Sequence, residues 1–172
     1  MDAIDEAGKP ATAVPTARPP YGAYAGIMGA FAGVLGVAGA LSRSLGRDPR
    51  GDTALDLAVL SVATFKAART ISRDDVTSFI RAPFVEGEAG TGEEEAPLET
   101  GGLQQAMGEL VTCSRCVGTW AAAGLTTTQI LAPRFGRLLT WSLAAAGAND
   151  FLQAGFVALT SKTNILKQRS SL

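Results

Sequence analysis

From Pro19 to Ser42 the chain carries no charged residue, and two further stretches repeat the pattern. Cys116 to Pro133 has no charge, and Leu138 to Ser161 has only Asp150. A bilayer-crossing helix needs roughly 20 consecutive apolar residues. Inside lipid every backbone N–H and C=O must find its partner within the protein, so a span of this kind is helical. The segregation of charge therefore points to an all-α chain, an integral membrane helical bundle of about four transmembrane helices with a short amphipathic helix. The expected spans are residues 21–42, 53–71, 113–132 and 137–161. The second is the most interrupted, because only Leu57–Phe65 runs free of charge between Asp56 and Lys66. Its length favours spanning with both ends snorkelling over lying in the interface.

The remaining segments read as connections. Residues 1–20 are acidic and then rich in Pro, Ala and Thr, without the basic start of a signal peptide, and are expected to form a disordered tail. Six of the sixteen acidic residues, Glu86, Glu88, Glu93, Glu94, Glu95 and Glu99, fall in a Gly-rich stretch, so 85–102 is expected to be a flexible acidic loop. Ser72 with Asp75 three residues later suggests a variant capping box that opens a short helix ending near Pro83. Leu103, Met107, Leu110 and Val111 recur at helical spacing and suggest the amphipathic helix at the membrane surface. Residues 162–172 form a basic tail with Lys162, Lys167 and Arg169.

Four spans place both termini and the central loop on one side, with Lys9, Arg18, Arg69, Arg73, Arg81 and the basic tail. The short turns opposite hold Arg43, Arg47, Arg50, Arg134 and Arg137. The excess favours a multi-pass protein of the cell membrane with cytoplasmic termini.

Composition narrows the chemistry. A net charge of −1 gives no footprint for nucleic acid. Histidine is absent, which removes the commonest general base and metal ligand. The two cysteines, Cys113 and Cys116, form a Cys-x-x-Cys where a polar segment turns into the third charge-free run. Thr112 is the expected N-cap, and the helix N-terminus with Arg115 favours thiolate. Three readings stay open: a metal site completed by Glu109, Asp74, Asp75 or a second chain, with zinc as the ion; a thiol–disulfide pair; or small thiols packed at a helix start.

Two other features carry physical weight. Gly22, Gly26, Gly29, Gly33 and Gly36 alternate at spacings that keep them on one helical face, which suits close packing within the bundle or between two copies. Asp150 is costly inside a membrane, at about 3 kcal/mol at a helix centre. Lys66 stands as many residues past Thr53 as Asp150 does past Arg137, so both lie roughly 20 Å from that face at the helical rise. An intramembrane Lys66–Asp150 ion pair is the resulting expectation.

Four segments also read as a set: Ile71-Ser-Arg-Asp-Asp-Val-Thr-Ser-Phe-Ile-Arg-Ala-Pro-Phe84, Gly108-Glu-Leu-Val-Thr-Cys-Ser-Arg-Cys116 with Trp120, Ala132-Pro-Arg134, and Asp150-Phe-Leu-Gln153. Their order resembles the bacterial membrane family known as domain of unknown function 1360, some of whose members are labelled sporulation-associated. The resemblance marks Asp75, Thr77, Arg81, Pro83, Phe84, Glu109 and Trp120 as motif positions. It implies small integral membrane proteins and brings no activity.

The function expected from these readings is non-enzymatic: a structural or accessory membrane subunit that packs or self-associates through its Gly-rich first helix, as a homo-oligomer or in a larger membrane complex. The alternative is a membrane thiol–disulfide oxidoreductase or metal-binding protein using Cys113 and Cys116. A second alternative is a transport component around Asp150.

Overall fold

The computed structural model describes residues 19–47, 53–87 and 95–170, with side chains as far as Lys162. The tail before residue 19, the turn at 48–52 with Arg50, the acidic residues 88–94 and the side chains of Lys167 and Arg169 lie outside the described residues.

Helices make up nearly all of what is described. They are α1 (Tyr21–Ser44), α2 (Ala54–Arg73), the single turn α3 (Ser78–Arg81), α4 (Leu103–Thr112), α5 (Ser114–Leu131) and α6 (Pro133–Ser170). Two residues on each side form an antiparallel pair, β1 (Val85–Glu86) with β2 (Ala96–Pro97), with Val85 opposite Pro97 and Glu86 opposite Ala96. The chain is therefore all-α with a minimal strand clasp. Among the described residues one helix, α1, is long and apolar enough to cross a membrane by itself. The others are interrupted: α2 by Asp56, Lys66 and Arg69, α5 by a threonine run and Gln129, and α6 by Asn149 and Asp150.

Polar contacts fix the helix directions. Ser72, near the end of α2, meets Ser114 at the start of α5, Oγ to Oγ at 2.8 Å. Gln129 near the end of α5 donates to Thr140 Oγ1 early in α6 at 2.9 Å. Hence α5 is antiparallel to both α2 and α6, and α2 runs parallel to α6. These three form the bundle, with Ala63, Leu125 and Ala144 at its centre and Val59, Leu60, Val62, Leu139 and Leu143 around them. The centre is small because the backbones come close. An added Cβ at Gly147 would lie 2.9 Å from Val62 Cγ1 and 3.1 Å from the Val62 carbonyl oxygen.

Helix α1 lies against α5, and its Phe31 ring meets Trp120 edge-on at 4.9 Å between centroids. Its start is tied to α4, where the Tyr24 hydroxyl donates to Glu109 Oε2. Among the described residues the glycine face is not a contact surface: an added Cβ at Gly22, Gly26, Gly29, Gly33 or Gly36 would find no atom within 4 Å.

Local signals also settle differently from the sequence expectation. The reciprocal capping box forms at Thr53 and Asp56, which exchange two backbone N–H bonds at 3.0 and 3.2 Å. Ser72 instead stays inside α2, because its hydroxyl is engaged by Ser114, and Asp75 opens a single 3-10 turn over Asp75–Thr77. Helix α4 does not lie free on a surface. Gln105, Ala106, Gly108 and Val111 are its buried residues, while Leu103 is exposed. Gly108 permits this, since a Cβ there would run into the Phe84 carbonyl oxygen.

Gly147→Ala should destabilise the protein by about 1–3 kcal/mol, the usual cost of forcing extra volume between packed helices. Gly155→Ala, facing open space on the same helix, should be neutral or gain up to about 1 kcal/mol from helix propensity. Thermal unfolding of the two variants followed by circular dichroism separates the cases.

Candidate functional site

The end of the bundle where α2 stops and α5 begins holds the largest concentration of engaged polar groups among the described residues. Its centre is Arg81, whose side chain is 2% exposed. Nε donates to Glu95 Oε2 at 2.6 Å and the second terminal nitrogen to Glu95 Oε1 at 2.9 Å, a two-pronged pair. The other terminal nitrogen donates to the carbonyls of Ile71 at 2.9 Å and Asp74 at 3.1 Å and to Thr77 Oγ1 at 3.1 Å. The guanidinium thus gives the Ile71 carbonyl a donor at the open end of α2 and adds one at Asp74, which also accepts from the Thr77 N–H. Thr77 Oγ1 itself donates to the carbonyls of Thr70 and Asp74.

Glu95 is held below the usual carboxylate range, first by the hydrogen bonds from Arg81, with burial opposing the shift. The same bonds raise the Arg81 pKa against its own desolvation. Sequence reasoning placed Glu95 in a flexible acidic loop. It instead anchors the returning strand, which no local pattern marks, because the partner lies across a turn.

The rest of the motif positions support this cap. Pro83 presents its carbonyl to Gln104 Nε2 at 2.8 Å, and the Phe84 carbonyl accepts from the Leu98 N–H at 3.1 Å. Glu109 receives both Tyr24 and Gln105, the latter at 3.0 Å. Trp120 holds Phe31, and Asp75 opens the short turn before α3.

Lys66 and Asp150 are brought together: Nζ stands 2.9 Å from Asp150 Oδ2 and 3.8 Å from Asp74 Oδ2. One ammonium therefore serves two carboxylates. Phe65 stacks on Phe151 beside the pair at 5.2 Å between centroids.

The two thiols sit at the start of α5, with Sγ atoms 2.6 Å apart and both free. Cys113, not Thr112, is the N-cap, its sulfur accepting from the Cys116 N–H at 3.3 Å. Thr112 is turned back onto the Gly108 carbonyl at 2.8 Å. Among the described residues no group of three or more His, Cys, Asp or Glu side chains comes together as a metal site. Two of the carboxylates considered as further ligands are engaged elsewhere, Glu109 with Tyr24 and Gln105, and Asp74 with Lys66.

The chain belongs to the family described as protein of unknown function (DUF1360), whose model matches residues 59–156. That segment runs from Val59 in α2 to Phe156 in α6 and contains the whole polar cap. The chain is 31% identical over 104 residues to the sporulation protein YjcA of Bacillus subtilis (strain 168), covering 58% of this chain and 88% of that one. It is 25% identical over 118 residues to the UPF0713 protein YngL of the same organism, covering 69% of this chain and 91% of that one. No solved structure is significantly similar to the chain.

Arg81→Gln should lower stability by about 3–5 kcal/mol, the cost of leaving one member of a buried pair alone, read from denaturant or thermal unfolding. The pair also sets a pH response. Glu95 has its folded pKa below the unfolded value of 4.5, so its contribution is complete above that pH and is lost as pH falls through the folded value. The melting temperature of the parent protein should fall on the acid side, and Glu95→Gln should flatten that limb.

Proposed function

We propose that this protein is a non-enzymatic integral membrane subunit whose four long helices, α1, α2, α5 and α6, cross the bilayer, with both termini and the Arg81 cap on the cytoplasmic side. The observation that carries the reading is the inverted distribution of side chains. The largest fully buried side chains are Arg81 and Thr140. Met28 is 66% exposed, Val37 69%, Leu57 63% and Leu152 73%. Helices that meet through alanine, glycine and hydroxyl side chains and turn their large apolar residues outward suit a lipid surround, where association depends on close packing and interhelical hydrogen bonds. In water the same surface would be an aggregation liability.

The polar groups support an accessory role rather than a reaction centre. Arg81 is occupied by structural partners. Asp150 is paired with Lys66, and no second acid continues a proton path from it toward the far end of the bundle among the described residues. A transport role around Asp150 has correspondingly less support.

The thiols support a second reading. Two sulfurs 2.6 Å apart at a helix start are placed to close into a disulfide, passing two electrons and two protons to a disulfide or quinone oxidant. A Cys113→Ser variant that loses function while keeping its fold would favour that reading over the packing role.

The membrane reading is tested by alkaline carbonate extraction. The protein should remain in the membrane pellet, and a membrane-impermeant maleimide should reach the thiols only from the cytoplasmic side. Release into the supernatant would refute it. Lys66→Met should lower the folded yield in membranes by leaving Asp150 alone, at a cost of up to about 3 kcal/mol on the insertion scale. The double variant Lys66→Met, Asp150→Leu should recover most of that loss.

A further inference from the structure

Helix α1 makes its polar and ring contacts with the other helices through its first half. Tyr24 bonds Glu109 and Phe31 packs on Trp120. Beyond Phe31, among the described residues, no hydrogen bond, ion pair or ring contact joins α1 to another helix. The second half of α1 and the facing half of α5 enclose an open cleft of about 610 Å³. Its walls include Phe31, Leu35 and Gly39 from α1, with Ala123 and Ile130 from α5. An added Cβ at Gly39 would touch nothing within 4 Å, so the cleft is not filled by the described residues.

One charged side chain lines this cleft: Arg43, at the end where α1 stops. It is exposed, and among the described residues no carboxylate pairs with it. Nor is it needed to close the helix. The carbonyls of Leu41, Ser42 and Arg43 already accept the N–H groups of Leu45, Arg47 and Gly46, with Gly46 at a φ of 60° that suits glycine. Arg47 and, at the start of α6, Arg134 and Arg137 add positive charge at the same end of the bundle. Arg137 lies over the Trp141 ring at 5.9 Å, an aromatic and cationic pairing suited to the headgroup level.

An apolar cleft that ends in an uncommitted cation matches a ligand with a long apolar body and an anionic head. We propose that the α1–α5 cleft holds an acyl chain of an anionic phospholipid, whose phosphate is bound at Arg43. The site rests on the membrane reading above and deepens it. The volume falls within the roughly 300–1,000 Å³ usual for small-molecule sites. The lipid fills the cleft that α1 and α5 leave open beyond Phe31, and the guanidinium selects the head by charge.

The test uses the full chain in vesicles, with Trp141→Phe introduced so that Trp120, beside Phe31 at the cleft wall, is the only tryptophan. Flotation is checked first, and Trp120 quenching is then compared between phosphatidylglycerol and phosphatidylcholine carrying the same brominated acyl chains. The phosphatidylglycerol should associate about fivefold more strongly, the factor one basic residue contributes at an anionic membrane surface. Arg43→Gln should remove most of the preference between the two lipids, and Ala123→Leu, which fills the cleft, should reduce quenching by both. Equal quenching in the parent protein would overturn the proposal. So would the absence of quenching in protein that floats with the vesicles, which would mean that a protein surface covers the cleft. Protein that does not float would refute the membrane reading itself, and the lipid site with it.

Discussion

Two chain segments meet at the Arg81 guanidinium, which ties the end of α2 to the strand that returns after the acidic stretch. From one side come the last carbonyls of α2, at Ile71 and Asp74; from the other comes Glu95, after a stretch rich in glycine and glutamate. A planar group with five N–H donors can serve both at once, which an ammonium could not do with the same geometry. Because the pair is removed from water, its value depends on completeness: a buried charge is tolerable only when every donor is met. That condition sets the course of the chain. It stops α2, directs α3 back across its end, and brings β2 beside β1. The Phe84 carbonyl and Pro97 are then in place to receive Gly108, which seats α4 and so positions the start of α5.

Below this cap the bundle is ordered by close approach rather than by bulky packing. Ala63, Ala68, Gly118, Ala144 and Gly147 let α2 meet both α5 and α6, and single hydroxyl or amide contacts set the register. Such interfaces gain their energy from many dispersion contacts at short range. They leave the large apolar side chains for the outside. Helix α2 is central to the arrangement, because it touches both partners and also carries Lys66 to Asp150.

Much of the helical framework could be read from charge alone. The uncharged runs fall largely within α1, α5 and α6, although charge does not itself end a helix: α2 runs through Lys66 and Arg69, and α6 through Asp150. Lys66 and Asp150 stand at one level because α2 and α6 run parallel, a relation that equal counting from the two turns can reach. The cap was not readable in the same way. Arg81 and Glu95 are separated by a segment whose composition looks solvated, and nothing local distinguishes Glu95 from its acidic neighbours. The capping signals misled for a related reason. Thr-x-x-Asp and Ser-x-x-Asp are equivalent in sequence, but Ser72 has a partner in Ser114 and, among the described residues, Thr53 bonds only within its own helix. The glycine face of α1 shows the converse: its spacing suggests close packing, yet among the described residues an added Cβ at these positions meets no atom within 4 Å.

Helix α6 continues as one unbroken helix to Ser170, well past its contacts with α2. From Leu152 to Lys162 every side chain is exposed. No proline interrupts this part, and Gly155 is its only glycine. A helix without such a break bends little. The section beyond Asp150 is therefore a lever about 30 Å long at the helical rise. A sideways force near Ser170 would act about a fulcrum at Gly147, where the backbones of α2 and α6 leave no slack. Small displacements there would be delivered to the Lys66–Asp150 contact and, through Asp74, to the carbonyls that Arg81 holds.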